Sequence, residues 1–323
     1  MIEKEVIIVG GGPAGSSCAL RLKQHHVDAL ILEQHAFPRE KLCAGWITQE
    51  VLADLEITEM DLPFKITRFD SFWVSFPKFQ KEFPVHQFAI RRSEFDNWML
   101  KRSGASFEQH RVLDIQRDGK RYVIDGKYCC KFIVGAGGTS CPVYRTLFKD
   151  ISPRSSNSLI VAMEEEIEYD IENWQCRLWF FENGLPGYAW YVPKENGFLN
   201  VGIGAKTRKL EEKGISLKEY WELLIEKLEN EVLVKNHIFQ PKGHSYFLRQ
   251  KNPVVRNGNA FTVGDATGLA TLDMGEGIRS AIKSGMLAAD AIVQNRDYSI
   301  SSIPKYSLFS IIQSGFRKKP IGI

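Results

Sequence analysis

Apolar positions along the chain follow two different rhythms. Val6-Ile7-Ile8-Val9 is an unbroken β-branched run, which predicts a strand buried on both faces of a parallel sheet. It stops at Gly10-Gly11-Gly12-Pro13-Ala14-Gly15, after which Ala19, Leu20 and Leu22 mark the apolar side of a helix. Asp28-Ala29-Leu30-Ile31-Leu32-Glu33 then predicts a second strand. Between residues 151 and 252 the texture changes. Segments 176–181, 188–192 and 198–204 are aromatic-rich and strand-like, separated by Asn183-Gly184, Pro186-Gly187 and Asn196-Gly197 turns. They predict an antiparallel sheet, to which an earlier insertion carrying Trp73, Val74, Phe76 and Phe83 adds strands. Residues 216–232 place Leu217, Tyr220, Trp221, Leu224 and Leu228 on one helical face, and a further helical pattern runs to Ile292.

The glycine turn carries chemistry because of its setting. A G-x-G-x-x-G between a strand and a helix, with a second strand after it, is the dinucleotide-binding pattern. Gly10 lets the chain turn sharply, Gly12 presents no Cβ to a pyrophosphate, and Gly15 lets the helix pack close. The helix start offers unpaired N–H groups and partial positive charge to phosphates. Glu33 ends the second strand, placed to accept hydrogen bonds from a ribose diol, and an acid there disfavours a 2′-phosphate. The motif does not by itself separate FAD from NAD. A second polar site is built from distant sequence: Ala260-Phe261-Thr262-Val263-Gly264-Asp265-Ala266-Thr267-Gly268, followed by Met274-Gly275-Glu276-Gly277-Ile278 at a helix start. Asp265 either caps a helix or binds ligand hydroxyls, and its pairing with the N-terminal turn favours the second.

Bulk properties narrow the class. At 323 residues, 44% hydrophobic and 25% charged, the chain has material for about two domains of an ordinary globular enzyme. The expected division is a nucleotide-binding domain at 1–65, 86–150 and 253–300, a substrate domain at 66–85 and 151–252, and a tail at 301–323. A net charge of +3 without a basic run argues against a nucleic-acid partner. No apolar stretch approaches a membrane span and no signal peptide opens the chain, so a cytoplasmic location is expected. The six cysteines show neither CxxC nor zinc spacing, which predicts reduced thiols and no metal site.

GGGPAG, Arg91-Arg92-Ser93-Glu94-Phe95-Asp96, Val134-Gly135-Ala136-Gly137-Gly138-Thr139-Ser140 and GDATG…GEGI occur in the order found in flavoproteins of the para-hydroxybenzoate hydroxylase fold. Within that fold the chain most resembles the geranylgeranyl reductase family, over roughly residues 1–295. The resemblance implies an α/β (α+β overall) architecture: a discontinuous Rossmann-like FAD-binding domain and an antiparallel-sheet substrate domain. It implies FAD contacts from the turn Gly10, Gly12, Pro13, Ala14 and Gly15, from Glu33, from Arg91 or Arg92, and from Gly264 and Asp265. Gly275, Gly277 and Ile278 would sit beside the isoalloxazine, their N–H groups facing the edge where negative charge develops on reduction. Pro38-Arg39-Glu40-Lys41-Leu42-Cys43-Ala44-Gly45-Trp46 resembles the family's PRxKxCGG loop against the flavin, with Ala44 replacing a glycine. Two departures stand out. Gly137 replaces the acid of a Gly-Ala-Asp-Gly turn, and Leu272 stands where monooxygenase relatives carry proline.

Gly187-Tyr188-Ala189-Trp190-Tyr191-Val192-Pro193 resembles the family's YxWxFP element, which lines the substrate cavity, with Val192 in place of phenylalanine. In a strand Tyr188, Trp190 and Val192 share one face, so they are the candidate substrate wall. The match to the WxWxIP of flavin halogenases is weaker, since Tyr188 replaces their first tryptophan. Gly202-Ile203-Gly204 lacks a third glycine, so no second nucleotide domain is expected. The expected activity is reduction of carbon–carbon double bonds in a hydrophobic, isoprenoid-like substrate, with NAD(P)H or a reduced carrier such as ferredoxin as electron source. A monooxygenase or halogenase acting on an aromatic substrate is the alternative. Cys43 and Tyr188 are the candidate proton donors. The tail, with Tyr306, Leu308, Phe309, Ile311, Ile312 and Phe316 before Arg317-Lys318-Lys319, either docks on its own domain or touches a membrane surface.

Overall fold

The computed structural model describes residues 1–307, which form two compact units of interleaved sequence. The first holds residues 1–40, 93–155 and 247–306, and the second 41–92, 156–246 and Ser307. The predicted tail beyond Ser307 lies outside the described residues.

In the first unit the β-branched run closes the strand Ile2–Val9. It pairs in parallel with Ala29–Glu33 on one side and Tyr128–Gly135 on the other, and Ser106–Gln109 and Ala260–Thr262 extend the sheet in parallel. Successive side chains of a strand point to opposite faces, and here both faces are core. Val6 and Ile8 join Ile31, Val134 and the helix residues Cys18, Leu22 and Ala288. Ile7 and Val9 join Leu30, Ile133 and Tyr144 on the other side. That double burial is why the run carries no polar residue. The helices Pro13–Gln24 and Ile278–Val293 meet through small residues. Ser17 Oγ donates to the Pro13 carbonyl at 2.6 Å and lies 3.1 Å from the Ile282 carbonyl. A Cβ on Gly285 would stand 2.2 Å from the Ala14 carbonyl oxygen.

The second unit is an eight-stranded sheet in the order Lys242–Phe247, Leu159–Glu168, Phe198–Lys206, Gly187–Lys194, Cys176–Phe180, Thr67–Phe76, Phe79–Ala89, Trp46–Thr48. From Leu159–Glu168 onward the pairing is antiparallel, apart from the parallel pair Cys176–Phe180 and Thr67–Phe76. The helix Leu217–Asn230 starts at a capping box in which Ser216 and Glu219 satisfy each other's backbone N–H groups. Its predicted apolar face packs on Ala189, Tyr191, Val201 and Ile203, one side of the sheet.

The units divide at other residues than the sequence predicts. Residues 41–65 and 86–92 belong to the second unit, because Trp46–Thr48 pairs with residues 87–89 in the register Trp46↔Ala89. Residues 151–155 and 247–252 belong to the first, where Arg154 donates to the Thr139 and Ala266 carbonyls at 2.7 and 2.6 Å. Among the described residues no helix is long and apolar enough to cross a membrane.

Gly285→Ala tests the helix contact. Higher helix propensity favours alanine by about 1 kcal/mol, but the new methyl meets backbone that cannot swing aside. A net loss of about 1–3 kcal/mol is expected from such overpacking, read as a lower denaturant midpoint at unchanged slope.

Candidate functional site

The first unit brings three remote motifs to one place. Gly10 has φ +113°, and a Cβ there would lie 2.4 Å from the Ala136 carbonyl oxygen. At Gly264 a Cβ would touch the Ala14 Cβ at 3.1 Å. The glycine turn, the residue 134–140 motif and the Gly264-Asp265 turn therefore abut at the start of the helix Pro13–Gln24. Glu33 accepts the Gly11 N–H at 2.8 Å and the His35 N–H at 3.1 Å, one on each carboxylate oxygen. The Arg39 guanidinium lies over Gly12, within 3.3 Å of where a Cβ would be, and is held by buried Asp96 at 3.4 Å. Arg39 Nε is buried with no hydrogen-bond partner. A bare helix N-terminus, an arginine with an unused donor and a carboxylate with lone pairs to spare fit the pyrophosphate and ribose of a dinucleotide.

At the second turn Asp265 Oδ1 lies 3.4 Å from where a Gly277 Cβ would stand. The predicted row of donors beside it is shorter than expected. The Gly275 N–H is bonded to the Thr271 carbonyl at 3.1 Å, and the Glu276 N–H to Thr271 Oγ1 at 3.0 Å. This corrects the expectation for Gly275 and narrows the donors to Gly277 and Ile278.

In the second unit Tyr188, Trp190 and Val192 share the sheet face opposite the helix Leu217–Asn230, as the alternation predicts. Tyr188 and Trp190 have ring centroids 5.7 Å apart, and Phe180 stands 5.0 Å from Tyr188. The Trp190 indole spreads over Gly202, where a Cβ would fall 2.1 Å from the ring, and its Nε1 donates to Asn200 Oδ1 at 2.7 Å. Gly202-Ile203-Gly204 is thus strand, and its glycines make room for an aromatic ring. The Cys43 loop is pinned nearby in the chain's own terms: Gly45 has φ +79°, its carbonyl accepts the Ile90 N–H at 2.9 Å, and the Cys43 sulfur accepts the Gly45 N–H at 3.4 Å.

The same face carries a charged group that sequence reading missed. Glu166 accepts from Lys194 at 2.6 Å and from Arg91 at 2.9 Å. Burial opposes its charge, but Lys194 and Arg91 together hold Glu166 below the usual carboxylate range. Arg91 also lies 3.3 Å over the Phe198 ring; within its own unit it is an ion-pair and stacking partner. Two residues along the same strand, Glu164 is fully buried and neither oxygen is in hydrogen-bonding geometry with any group. Burial lifts its pKa to about 7, against the pull of Lys194, Lys41, Asn200 and Arg92. His244 Nδ1 lies 3.7 Å from Glu164 Oε1. Burial, with Lys41 and Arg92 adding to it, lowers the His244 pKa to about 4.

Comparison with known proteins places this geometry. The profile of the geranylgeranyl reductase catalytic domain matches residues 159–242, and that of an NAD(P)-binding Rossmann-like domain matches residues 8–52. An uncharacterized protein of Methanosarcina barkeri is 30% identical over 90% of this chain and 75% of its own length. A digeranylgeranylglycerophospholipid reductase of Methanosphaera stadtmanae is 26% identical over 94% of this chain and 82% of its own. The chain belongs to the geranylgeranyl reductase family. Its fold is shared with a geranylgeranyl bacteriochlorophyll reductase-like protein of Thermoplasma acidophilum (TM-score 0.76, 20% identity, 98% of this chain and 83% of that one). A flavin-dependent halogenase, CmlS, also shares it (TM-score 0.72, 21% identity, 91% of this chain and 58% of that one).

As a geranylgeranyl reductase family member the chain is a flavin-dependent oxidoreductase. Its matched catalytic segment contains the Tyr188 wall and also Glu164, Glu166, Lys194 and Asn200. A signal for them was present: in Ala162-Met163-Glu164-Glu165-Glu166 the alternate acids share a face with the wall once the strands are paired, and Lys194 continues the spacing of Tyr188, Trp190 and Val192.

Glu164 and His244 should leave opposite marks on stability. The raised Glu164 pKa makes the native state lose stability as pH rises from the unfolded carboxyl value near 4.5 to about 7. The lowered His244 pKa makes it lose stability as pH falls from 6.5 to about 4. The slopes oppose in the window they share. Glu164→Gln is expected to remove the loss on the alkaline side, on the order of 3 kcal/mol between pH 5 and 8. Denaturant midpoints of both proteins across that range check it; parallel curves would contradict it.

Proposed function

We propose that this chain uses FAD to reduce carbon–carbon double bonds of an isoprenoid lipid, drawing electrons from NAD(P)H or a reduced carrier such as ferredoxin. The observation that carries the reading is the wall of Tyr188, Trp190 and Val192 on one sheet face inside the matched catalytic segment. A sheet face of this kind suits a hydrophobic chain, and relatives acting on digeranylgeranylglycerophospholipid support an isoprenoid. The turn at Gly10, Gly12, Pro13, Ala14 and Gly15, with Arg39, would hold the pyrophosphate. Glu33 would hold the adenosine ribose, Asp265 the ribityl hydroxyls, and Gly277 and Ile278 the polar edge of the ring. When bound, FAD supplies hydride transfer. What the chain adds is position: a wall that aligns an alkene, where alignment is worth about 7–11 kcal/mol of a barrier.

The deciding experiment is anaerobic. With the flavin reduced by dithionite, a geranylgeranyl lipid should restore the oxidised absorbance and appear as a saturated product by mass spectrometry. Turnover of an aromatic with oxygen, and none of any isoprenoid, would replace this reading with a monooxygenase or halogenase. Glu33→Ala should weaken FAD binding by about 10–100-fold, the range for losing hydrogen bonds to a charged group, measured by fluorescence titration of the flavin-free protein.

A further inference from the structure

We infer that Glu164 is the acid that protonates the substrate during this reduction, and that His244 returns a proton to it from solvent. The inference rests on the proposed double-bond reduction and names the group that completes it. Register is the first support. Trp190 lies directly opposite Gly202, and Gly202 directly opposite Glu164, so the indole, a residue without a side chain and the carboxyl form one row across one face. The indole already overhangs Gly202, which brings the wall's ring toward the strand that carries Glu164.

Division of charge is the second support. Glu166 takes both Lys194 and Arg91, which leaves Glu164 without a dedicated counter-ion. An ionised carboxyl at zero exposure is held at high cost, so a large fraction of Glu164 keeps its proton at neutral pH. The groups facing it are Asn200 from the next strand and Lys194 from the one beyond it, Lys41 from a loop, Arg92 from the start of the helix Arg92–Ser103, and His244 from the edge strand. Two carboxyls driven to opposite protonation states is a recurring way to separate an acid from a charged partner. His244 keeps 18% of its side chain exposed against none for Glu164, so it is the member of the pair with access to water.

The balance is simple. One alkene carbon gains hydride from the reduced cofactor, and the other gains the Glu164 proton as the O–H bond breaks and its electron pair stays on the carboxylate. A proton from water, relayed by His244 Nδ1, restores the acid, and the cofactor ends oxidised by two electrons.

Two measurements test this. In flavin-free protein, infrared spectroscopy should show a protonated carboxyl band that titrates near neutral pH in the wild type and is missing in Glu164→Gln. In reduced, FAD-loaded enzyme mixed with geranylgeranyl lipid, Glu164→Gln should slow single-turnover reoxidation by about 10²–10⁴-fold with little change in KM. Glu164→Asp should recover part of that rate, and the loss of wild-type activity as pH rises through neutrality should vanish in Glu164→Gln. His244→Gln should slow steady-state turnover but not the first turnover. An active Glu164→Gln with the wild-type pH profile, or no carboxyl titrating near neutrality, overturns the inference and leaves the reductase reading standing. A wild type that reduces no isoprenoid overturns both.

Discussion

Backbone lying directly on backbone is the constraint from which the first unit follows. A Cβ on Gly15 would fall 1.9 Å from the Gly10 carbonyl oxygen, and one on Gly10 would fall 2.4 Å from that of Ala136. No side chain fits at these contacts, so the turn, the neighbouring strand end and the helix start are held at a spacing that only bare backbone permits. The positive end of the helix Pro13–Gln24 is then left without a side-chain cap, with Gly12 before it. Preference for an anion is in this sense a by-product of packing. Arg39 strengthens it, and buried Asp96 keeps Arg39 in place.

That constraint also explains which parts of the fold were legible. Val6-Ile7-Ile8-Val9 can only be a strand with apolar neighbours on both sides, and Leu217 to Leu228 can only be a helix with one wet face, because each pattern is local and complete. The segment 41–65 is different. Its strand Trp46–Thr48 is three residues long, too short for a periodicity, and it exists because residues 87–89 offer it a partner. Membership of the second unit is a long-range property that no window of sequence displays.

The site divides along the same line. That the turns bearing Gly10 and Gly264 come together, with Glu33 on the Gly11 N–H, follows from a few residue types in a fixed order that have few other uses. The donors at Gly275 and Glu276 were misjudged because Thr271 folds back on them, a contact specific to this loop. Glu164, Lys194 and His244 went unread for a more general reason: charged residues in a strand are ordinarily its solvent face. Here burial reverses that reading, and only the pairing of the strands Leu159–Glu168 and Phe198–Lys206 reveals it.

Two glutamates on one strand, two positions apart and facing the same way, are chemically identical until their surroundings are counted. Glu166 has two cations within 2.9 Å, and its charge is the favoured state. Glu164 is fully buried, its cations are more distant, and its polar neighbours are Asn200 and His244. An apolar residue of similar size at such a position is commonly neutral or stabilising, so stability gives no reason for an acid there. Packing does not require it either, since the face already has Trp190 to fill the space over Gly202. What the buried carboxyl offers instead is a proton held close to neutral pH on the face of the apolar wall, and an acid tuned by burial in this way suits proton transfer.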